Sequence, residues 1–178
     1  MGVWGVVFPI EPNFTEDEIF DDEAIEKRLQ GFHPRDTAFK VVHRNLYHVH
    51  QRVATKYREG RILIAGDAAH INNPLGGMGM NFGFHDAFNV TDKLNQIWFH
   101  DASEDLLDKY ERQRKTVASE YLQAQSIENK KNLERKNQID REKFFDELRG
   151  IVADDEKQRT YLRRVAMIEG VERAASIP

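Results

Sequence analysis

The strongest constraint on the fold is a long stretch without helix-breaking residues that follows a segment dense in glycine. Six of the eleven glycines lie within residues 60–83, but residues 84–149 contain none, and residues 75–177 contain no proline. Because Gly and Pro end helices, a charged stretch that lacks both favours helix. The sequence therefore predicts a largely helical second half, preceded by a segment in which the backbone turns or approaches something closely.

Helical periodicity divides the second half into several elements. A helix is predicted from Met80 to Trp98, and a second helix begins after Asp101. On the first helix the apolar face comprises Gly83, Ala87, Val90, Leu94 and Ile97, and the polar face Asp86, Asn89, Asp92, Lys93 and Gln96. Apolar residues thin out over 125–143, which favours a solvated helix face over a homodimer contact. Apolar faces return between Phe144 and Val165 and predict a last helical pair.

Short apolar runs come before the glycine segment. A capping-box pattern at Thr15–Glu18 introduces a short helix around 22–30, which Gly31 is expected to end. Three runs predict strands, namely Val3–Phe8, Phe39–Val42 and Leu46–Val53. Arg61–Ala65 is apolar without alternation, which predicts a strand covered on both faces, as in a parallel sheet. The two tryptophans, Trp4 and Trp98, and the phenylalanines are predicted to lie in the core.

Composition excludes several function classes. The chain has 178 residues and no cysteine, so a disulfide scaffold, a thiolate metal site and a cysteine nucleophile are excluded. A net charge of −4 gives no electrostatic footprint for nucleic acid. No apolar run approaches the ~18 residues that span a bilayer, and the first nine residues lack the basic start of a signal peptide. We expect a soluble cytoplasmic protein with neither nucleic acid nor membrane as partner.

The segment Gly66–Asn81 carries the chemistry. A carboxylate directly after a strand, here Asp67, is placed to accept hydrogen bonds from sugar or polyol hydroxyls, because ligands of open α/β sheets lie at the carboxyl ends of strands. Gly76, Gly77 and Gly79 remove side chains where a flat ligand would meet backbone. The amides of 79–81 then begin a helix and favour an anion or a polarised carbonyl.

The spacing excludes two common nucleotide motifs. If Gly77 began a dinucleotide fingerprint, its third glycine would be residue 82, which is Phe82. A P-loop is excluded because no Gly-Lys-Ser/Thr follows. The segment therefore suits the polar edge of a ring better than a pyrophosphate.

Several spaced elements, in order, resemble one enzyme family. The run from Arg61 through Gly66-Asp-Ala-Ala-His70, the run Asn73-Pro-Leu-Gly-Gly-Met-Gly-Met-Asn81 and Asp86-Ala-Phe-Asn89 are similar to the C-terminal flavin motif of the class A FAD-dependent monooxygenases, the para-hydroxybenzoate hydroxylase-like group. Upstream Arg52-Val-Ala54 and downstream Leu107–Arg114 fit the same pattern. The resemblance covers about residues 45–118.

This resemblance implies roles for the cofactor-binding residues. Asp67 would bind the ribityl chain of FAD, and Gly66 is a further cofactor-binding residue. Pro74 and the glycines Gly76, Gly77 and Gly79 would pass along the isoalloxazine, and the amides of Met80 and Asn81 would meet its N1/O2 edge. The helix start would then stabilise negative charge on that edge. In such enzymes NAD(P)H reduces the flavin, and O2 is used to hydroxylate a small, usually aromatic, substrate. No catalytic side chain and no metal ligand are assigned.

The sequence departs from the family pattern by missing motifs and by two substitutions. The family begins with a Rossmann βαβ unit whose glycine fingerprint holds the ADP half of FAD, and this sequence has neither that unit nor the family's mid-chain Asp-Gly motif. Where many members have Pro-Pro this chain has Asn73-Pro74, and Met78 replaces a common Gln. We therefore interpret the chain as the C-terminal portion of a longer monooxygenase, with the missing N-terminal half or a complementing subunit as its partner.

The implied fold class is α/β, or an α+β fragment. It combines part of an FAD-binding Rossmann-like domain with a remnant of the substrate-domain sheet and a C-terminal helical region. We expect the substrate-domain remnant over residues 1–57, the C-terminal part of the FAD-binding domain over 58–103, and the C-terminal helices over 104–178.

Other residues have alternative interpretations. Asp67 could cap a turn instead of contacting flavin, and residues 76–79 could form a flexible loop. His70 is interpreted as a packing residue that hydrogen-bonds to the loop, and Asp86 as a buried hydrogen-bonding residue, in preference to catalytic roles. His48 and His50, on one side of a predicted strand, favour sheet surface or pocket lining over a metal site. Arg52 either lines the active site or pairs with a carboxylate.

Two other functions compete with a flavin hydroxylase. One is a non-catalytic helical interaction module, or truncated pseudo-enzyme, that retains a decayed flavin loop. The other is a flavin reductase or halogenase, since those enzymes also use a Gly-Asp-Ala-Ala turn. His70 and the run Gly76–Asn81 favour the hydroxylases.

Overall fold

A computed structural model describes residues 2–11, 13–133 and 137–178 of the chain. In the described residues helices predominate and the strands are two residues long. The helices are α1 (Glu16–Phe20), α2 (Asp22–Phe32), α3 (Met78–Phe99), α4 (Asp105–Val117), α5 (Ala124–Leu133), α6 (Gln138–Val152), α7 (Asp155–Val165) and α8 (Ile168–Ser176). The strands are β1 (Arg52–Val53), β2 (Arg58–Glu59), β3 (Ile62–Leu63) and β4 (His70–Ile71). No described helix has both the length and the apolar content that a membrane crossing requires.

The chain divides into two compact units, Met1–His48 and Val49–Pro178. In the first unit the predicted capping box is confirmed: the Thr15 amide donates to Glu18 Oε2 at 2.8 Å, and the Glu18 amide donates to Thr15 Oγ1 at 3.4 Å. This box begins α1, and Asp21 caps α2 through the Ala24 amide at 2.8 Å. Gly31 lies inside α2, so the prediction that it ends this helix is wrong.

The predicted strands of the first unit are also wrong. Residues 2–8 and 39–50 contain no strand, and Trp4 is 89% exposed, although we predicted it in the core. A strand needs a hydrogen-bonded neighbour, and an apolar run alone does not supply one. Only Arg52–Val53 of the predicted run Leu46–Val53 is a strand.

The second unit contains two short antiparallel pairs instead of a parallel sheet. β1 pairs with β4, with Val53 opposite His70, and β2 pairs with β3 through a turn at Gly60, where φ is +59°. Ile62 of β3 is 70% exposed, so the prediction of a strand covered on both faces is wrong for this run. A parallel sheet would need neighbouring strands that the described residues do not provide.

The core of the second unit lies where α3, α4, the helical segment after α4, and α8 meet. A π-helical segment, Ala118–Gln123, joins α4 to α5, so helical structure continues from Asp105 to Leu133. One buried cluster comprises Met78, Phe82, Val117, Leu122, Met167 and Ala174, and a second comprises Tyr57, Ala69 and Tyr110. The Tyr110 hydroxyl donates to the Ile64 carbonyl at 2.7 Å and ties the second cluster to the chain after β3.

The buried side of α3 differs from the predicted apolar face. The helix begins at Met78, two residues earlier than predicted, and its buried residues are Met78, Phe82, Asp86 and Lys93. Lys93 donates to Asn89 Oδ1 at 2.7 Å and to Gln113 Oε1 at 2.9 Å, and burial lowers the pKa of its ammonium group. Trp98, predicted in the core, is 66% exposed. Polar partners on α4, which periodicity does not reveal, determine which side of α3 is buried.

The predicted helical pair is confirmed, and a third helix, which was not predicted, follows it. The segment from Phe144 to Val165 falls in α6 and α7, and α8 follows after Met167, whose φ is +63°. α8 returns to α4, where its Gly170 lies against Val117. The third helix therefore closes the core cluster.

Candidate functional site

The predicted cofactor-binding residues lie on three consecutive pieces of the second unit. Gly66 and Asp67 form a 3-10 turn after β3, the glycine loop (residues 72–77) follows β4, and residues 78–81 begin α3. The Asp67 carboxylate is exposed and accepts no hydrogen bond within the described residues. A Cβ placed on Gly79 would lie 3.0 Å from Asn72 Oδ1 and 4.0 Å from Asp67 Oδ1. Asp67 therefore lies directly beside the start of α3.

The start of α3 presents free backbone donors. Gly77 caps the helix in the left-handed region, with φ +62°, and no side chain caps it. In a helix that begins at Met78, the amides of 78–80 precede the first intrahelical hydrogen bond. A Cβ on Gly77 would meet no atom within 4 Å, so open space lies beside this turn. The Asn81 side chain folds back and donates to the Gly77 carbonyl at 2.9 Å.

Asn73 shapes the glycine loop from inside. This side chain is 4% exposed; its Oδ1 accepts from the Leu75 amide at 3.1 Å and its Nδ2 donates to the Ser126 carbonyl at 2.9 Å. The bond to Leu75 makes an Asx turn around Pro74, which stays exposed. From the sequence, Asn73 is identified only as a departure from the family's Pro-Pro. An asparagine directly before a proline is the sequence signal that could have predicted this turn.

A buried ionic network anchors the turn at Gly66 and Asp67 to the core. Asp86 is fully buried on α3, and Arg114 Nε of α4 donates to its Oδ1 at 2.6 Å. His70 Nε2 donates to Oδ2 at 2.7 Å, and the Gly66 amide donates to the same oxygen at 2.9 Å. The interpretation of Asp86 as a buried hydrogen-bonding residue is confirmed. His70 packs in the core as predicted, but it hydrogen-bonds to Asp86 and not to the loop.

The close approach of α3 to this turn depends on two glycines. A Cβ on Gly83 would lie 3.4 Å from the Cα of Gly66, whose φ is +60°. The Gly66 amide reaches Asp86 because no side chain separates the two backbones there. The helix is therefore positioned against the Asp67 turn through both an ionic group and a backbone contact.

The protonation of His70 follows from its partner. Burial opposes ionisation of Asp86, but the His70 hydrogen bond and the Arg114 guanidinium outweigh it and lower the pKa of this carboxyl. An ionised carboxylate only accepts, so His70 Nε2 must carry the proton. His70 Nδ1 and the Tyr57 hydroxyl are the two buried side-chain atoms without a hydrogen-bond partner in the described chain, and their rings lie 6.4 Å apart.

The lowered pKa of Asp86 predicts a specific acid sensitivity. Since the folded pKa lies below the unfolded value, the unfolded state binds more protons as the pH falls, and the stabilisation present above about pH 4 is lost below it. We expect the difference in unfolding free energy between the unsubstituted chain and Asp86→Asn to narrow below about pH 4. Urea unfolding between pH 7 and pH 3 measures this difference, and a gap that stays constant would contradict the assignment.

The other singled-out residues do not join this site. His48 and His50 are exposed and lie outside any strand, and the described residues contain no cluster of three or more potential metal-ligating side chains. Arg52 is exposed on β1 and forms no ion pair with a described carboxylate. The structure brings together the residues of the segment 66–81. It adds Gln51, Ser126 and Asn129, which the sequence did not predict at this site.

Comparison with known proteins identifies the family to which the chain is similar. A family model described as an FAD binding domain matches residues 2–125. The chain is 33% identical over 162 residues to 6-hydroxy-3-succinoylpyridine 3-monooxygenase from Pseudomonas putida, covering 90% of this chain and 41% of that protein. It is 35% identical over 122 residues to para-nitrophenol 4-monooxygenase from a Pseudomonas species, covering 67% of this chain and 30% of that protein.

A solved structure agrees with these relatives. The crystal structure of p-nitrophenol 4-monooxygenase from Pseudomonas putida superposes with a TM-score of 0.75 at 27% identity, over 91% of this chain and 40% of that one. The chain thus spans about two fifths or less of the length of these proteins.

Proposed function

The chain belongs to the FAD-binding domain family of the flavoprotein aromatic hydroxylases, the class A monooxygenases, and from this membership we propose that it is the flavin-facing part of an FAD-dependent monooxygenase. The whole enzyme would use NAD(P)H and O2 to hydroxylate a small aromatic substrate. The relatives are named for substrates with a pyridine or a nitrophenol ring. The observation that carries the proposal is the exposed Asp67 carboxylate, to which no described residue donates, beside the start of α3, where no described side chain caps the helix.

The residues present fit the flavin end of FAD. A ribityl chain offers hydroxyl donors, and Asp67 offers an acceptor that no described residue uses. The ring edge offers polarised acceptors, and the amides of 78–80 offer donors supported by the helix dipole. The open space beside Gly77 admits a flat ring against backbone. Donors, acceptor and space therefore agree with the proposed ligand.

Each proposed contact residue has a distinct task. Gly66 turns the chain so that Asp67 reaches the ribityl hydroxyls. Pro74, Gly76, Gly77 and Gly79 are proposed to line the isoalloxazine, and the backbone at Met80 and Asn81 to meet its N1/O2 edge. Bound FAD supplies the redox chemistry that transfers reducing equivalents from NAD(P)H to oxygen. The helix start stabilises negative charge on the ring edge by donors that are already oriented.

The proposed organisation assigns an exposed apolar surface to the rest of the enzyme. Phe84 and Phe88 of α3 are 53% and 77% exposed, and Met80 on the same side is 70% exposed. Exposed aromatic side chains four residues apart on one helix form a contiguous patch, which is typical of an interface. We propose that the N-terminal half of the monooxygenase, or a complementing subunit, covers it.

The remaining assignments keep the boundaries of the sequence interpretation. We propose a substrate-domain remnant over residues 1–57, a flavin-facing part of a Rossmann-like domain over 58–103 and a helical region over 104–178. A homodimer contact through 125–143, the less favoured alternative to a solvated face, is untested, and residues 134–136 of that segment lie outside the described residues. A cytoplasmic location stays a prediction. The comparisons do not favour a non-catalytic helical module.

A flavin titration tests the proposed function. The chain lacks the fingerprint that holds the ADP half, so we expect FAD and FMN to bind with similar, weak affinity and ADP not to bind at this site. In NMR spectra of the full chain, FMN should shift the amide resonances of residues 66–81. Asp67→Ala should weaken FMN binding by about tenfold or more, because a charge-assisted hydrogen bond is lost.

The control for this titration is Asp92→Ala, which removes an exposed carboxylate elsewhere on α3 and should leave FMN affinity unchanged. If FMN moved no resonance between Gly66 and Asn81, the assignment of a flavin site to this segment would be overturned. Tight, stoichiometric FAD retention would instead overturn the interpretation that the chain is one part of a larger cofactor site.

A further inference from the structure

We propose that Asn129, on helix α5, is a positioning residue that fixes the glycine loop in the shape that receives the flavin; this inference rests on the function proposed above. Asn129 Nδ2 donates to the Leu75 carbonyl at 3.1 Å, across 54 residues of sequence. Gln125 Nε2 donates to Asn129 Oδ1 at 3.0 Å, so the orientation of the amide is itself fixed from the same helix. Asn129 therefore holds the carbonyl of Leu75, whose amide is held by Asn73.

Asn129 also explains why residue 76 has no side chain. Gly76 has a φ of +93°, which L side chains rarely adopt, and a Cβ built on it would lie 2.2 Å from Asn129 Nδ2. That separation is far inside van der Waals contact, so the Asn129 amide occupies the volume that a side chain at 76 would need. The loop backbone thus lies directly on α5.

The other end of the loop is held by the same helix. Asn73 Nδ2 donates to the Ser126 carbonyl at 2.9 Å, and the Gln51 amide group bonds to Ser126 Oγ at 2.8 Å. Ser126 and Asn129 are three residues apart and therefore share one face of α5. The Leu75 carbonyl and the Asn73 side chain are both hydrogen-bonded to α5. Pro74, Gly76 and Gly77 of the loop stay exposed.

The flavin motif and the family model do not reach Asn129. The family match ends at residue 125, and Asn129 follows it in a helix that the flavin motif does not include. Leu75 supplies the carbonyl, so Asn129 acts through the loop backbone and not by touching the cofactor. The hydrogen bond orients the peptide unit between Leu75 and Gly76, which borders the proposed ring surface.

Substitution of Asn129 with two different side chains tests the inference. Asn129→Ala removes the donor and the volume, whereas Asn129→Asp keeps the volume but replaces the donor with a charged acceptor that faces the Leu75 carbonyl. Ile127→Ala on the same helix is the control, since Ile127 is exposed and touches no loop residue among the contacts described. In the ligand-free chain, both Asn129 variants should move the carbonyl resonance of Leu75 upfield and speed amide exchange over 75–78, and the control should do neither.

The same variants are then titrated with FMN. We expect Asn129→Ala to bind FMN about fivefold more weakly than the unsubstituted chain, as for the loss of one neutral hydrogen bond. Asn129→Asp should weaken binding at least as much, because its carboxylate faces the Leu75 carbonyl. Their urea midpoints should stay close to that of Ile127→Ala, which separates positioning from general destabilisation. An Asn129→Asp variant with full FMN affinity would overturn the inference, because the donor would then be unnecessary.

The outcomes distinguish this inference from the proposed function. Unchanged FMN affinity in both variants, with an altered loop, would overturn the positioning role and leave the flavin site intact. An unaltered Leu75 resonance would overturn the contact itself. If the unsubstituted chain gave no FMN response over 66–81, the proposed function would fail, and the cofactor role of Asn129 would fail with it.

Discussion

Replacement of Asp86 with asparagine should lower the free energy of unfolding by about 3–5 kcal/mol at neutral pH, as expected when one partner of a buried ion pair is removed. Asp86 is fully buried, and Arg114, 2% exposed, has its guanidinium 2.6 Å from the carboxylate. Asparagine has nearly the same shape and retains an acceptor, but it cannot neutralise Arg114. The variant therefore leaves an uncompensated charge between α3 and α4, and equilibrium urea unfolding measures its cost.

Asp92→Asn is the matched control for this substitution. It makes the same chemical change on the same helix at an exposed carboxylate, whose described contact is a hydrogen bond from Gln96 at 2.8 Å. Surface changes of this kind stay within about 0.5 kcal/mol. An Asp86→Asn variant as stable as Asp92→Asn would contradict a buried ionic network. A loss of unfolding free energy in Asp86→Asn alone would support the network. Faster hydrogen exchange of the Gly66 amide in that variant would show that the network also holds the Asp67 turn.

Truncation of Phe82 to alanine should cost about 3–5 kcal/mol, the range for a fully buried phenylalanine. Phe82 is 1% exposed and contributes to the cluster of Met78, Val117 and Leu122. Its ring also lies edge-on to His70, with the centroids 6.1 Å apart, and below the Arg114 guanidinium at 5.6 Å. The substitution removes apolar contacts and one wall of the ionic network, so urea unfolding should register a large loss.

Phe88 provides a control of the same residue type on the same helix. It is 77% exposed, so Phe88→Ala should change the unfolding free energy of this chain by less than about 1 kcal/mol. Equal losses for the two substitutions would contradict the assignment of sides on α3. The comparison also tests the proposed interface, because Phe88 should contribute to stability only when a partner covers it.

Sequence reasoning predicts the elements whose signals are local. The capping box at Thr15 and Glu18, the position of α3 to within two residues at its start, and a helix beginning after Asp101 all depend on residues close together in the chain. The glycines around Asp67 likewise mark the turn at Gly66 and the left-handed cap at Gly77. Such features are set by backbone sterics, which the residue type reveals directly.

Features that depend on distant partners were not predictable in the same way. The apolar runs Val3–Phe8 and Arg61–Ala65 are the composition of covered strands, yet a strand forms only where a neighbour pairs with it. Among the described residues, Val3–Phe8 has no partner strand and Arg61–Ala65 pairs only through Ile62 and Leu63 with β2. Family resemblance therefore described the sheet of a whole enzyme, whereas the structure has two-residue ladders.

The contacts that hold the glycine loop were hidden for a different reason. Asn73, Ser126 and Asn129 are ordinary polar residues whose significance comes from pairing across 53 and 54 positions of sequence. Polar residues on a charged helix are usually solvated, so residues 125–143 were interpreted as a surface. The resemblance identified the loop, but the supporting helix lies beyond the motif and carried no motif of its own.

The π-helical segment between α4 and α5 sets an angular relation that residue identities alone do not specify. Arg114 precedes Ala118–Gln123, while Ser126 and Asn129 follow it. A π turn accommodates one residue more than an α turn, and each residue of an α-helix advances by about 100° around the axis. If the same residues ran as α-helix throughout, Asn129 would rotate by about a quarter turn away from Leu75 while Arg114 kept its place on Asp86. A relative could keep every contact residue at the same spacing and still lose the loop support if this segment were α-helical, so the π turn between positions 114 and 129 is itself a criterion for this arrangement.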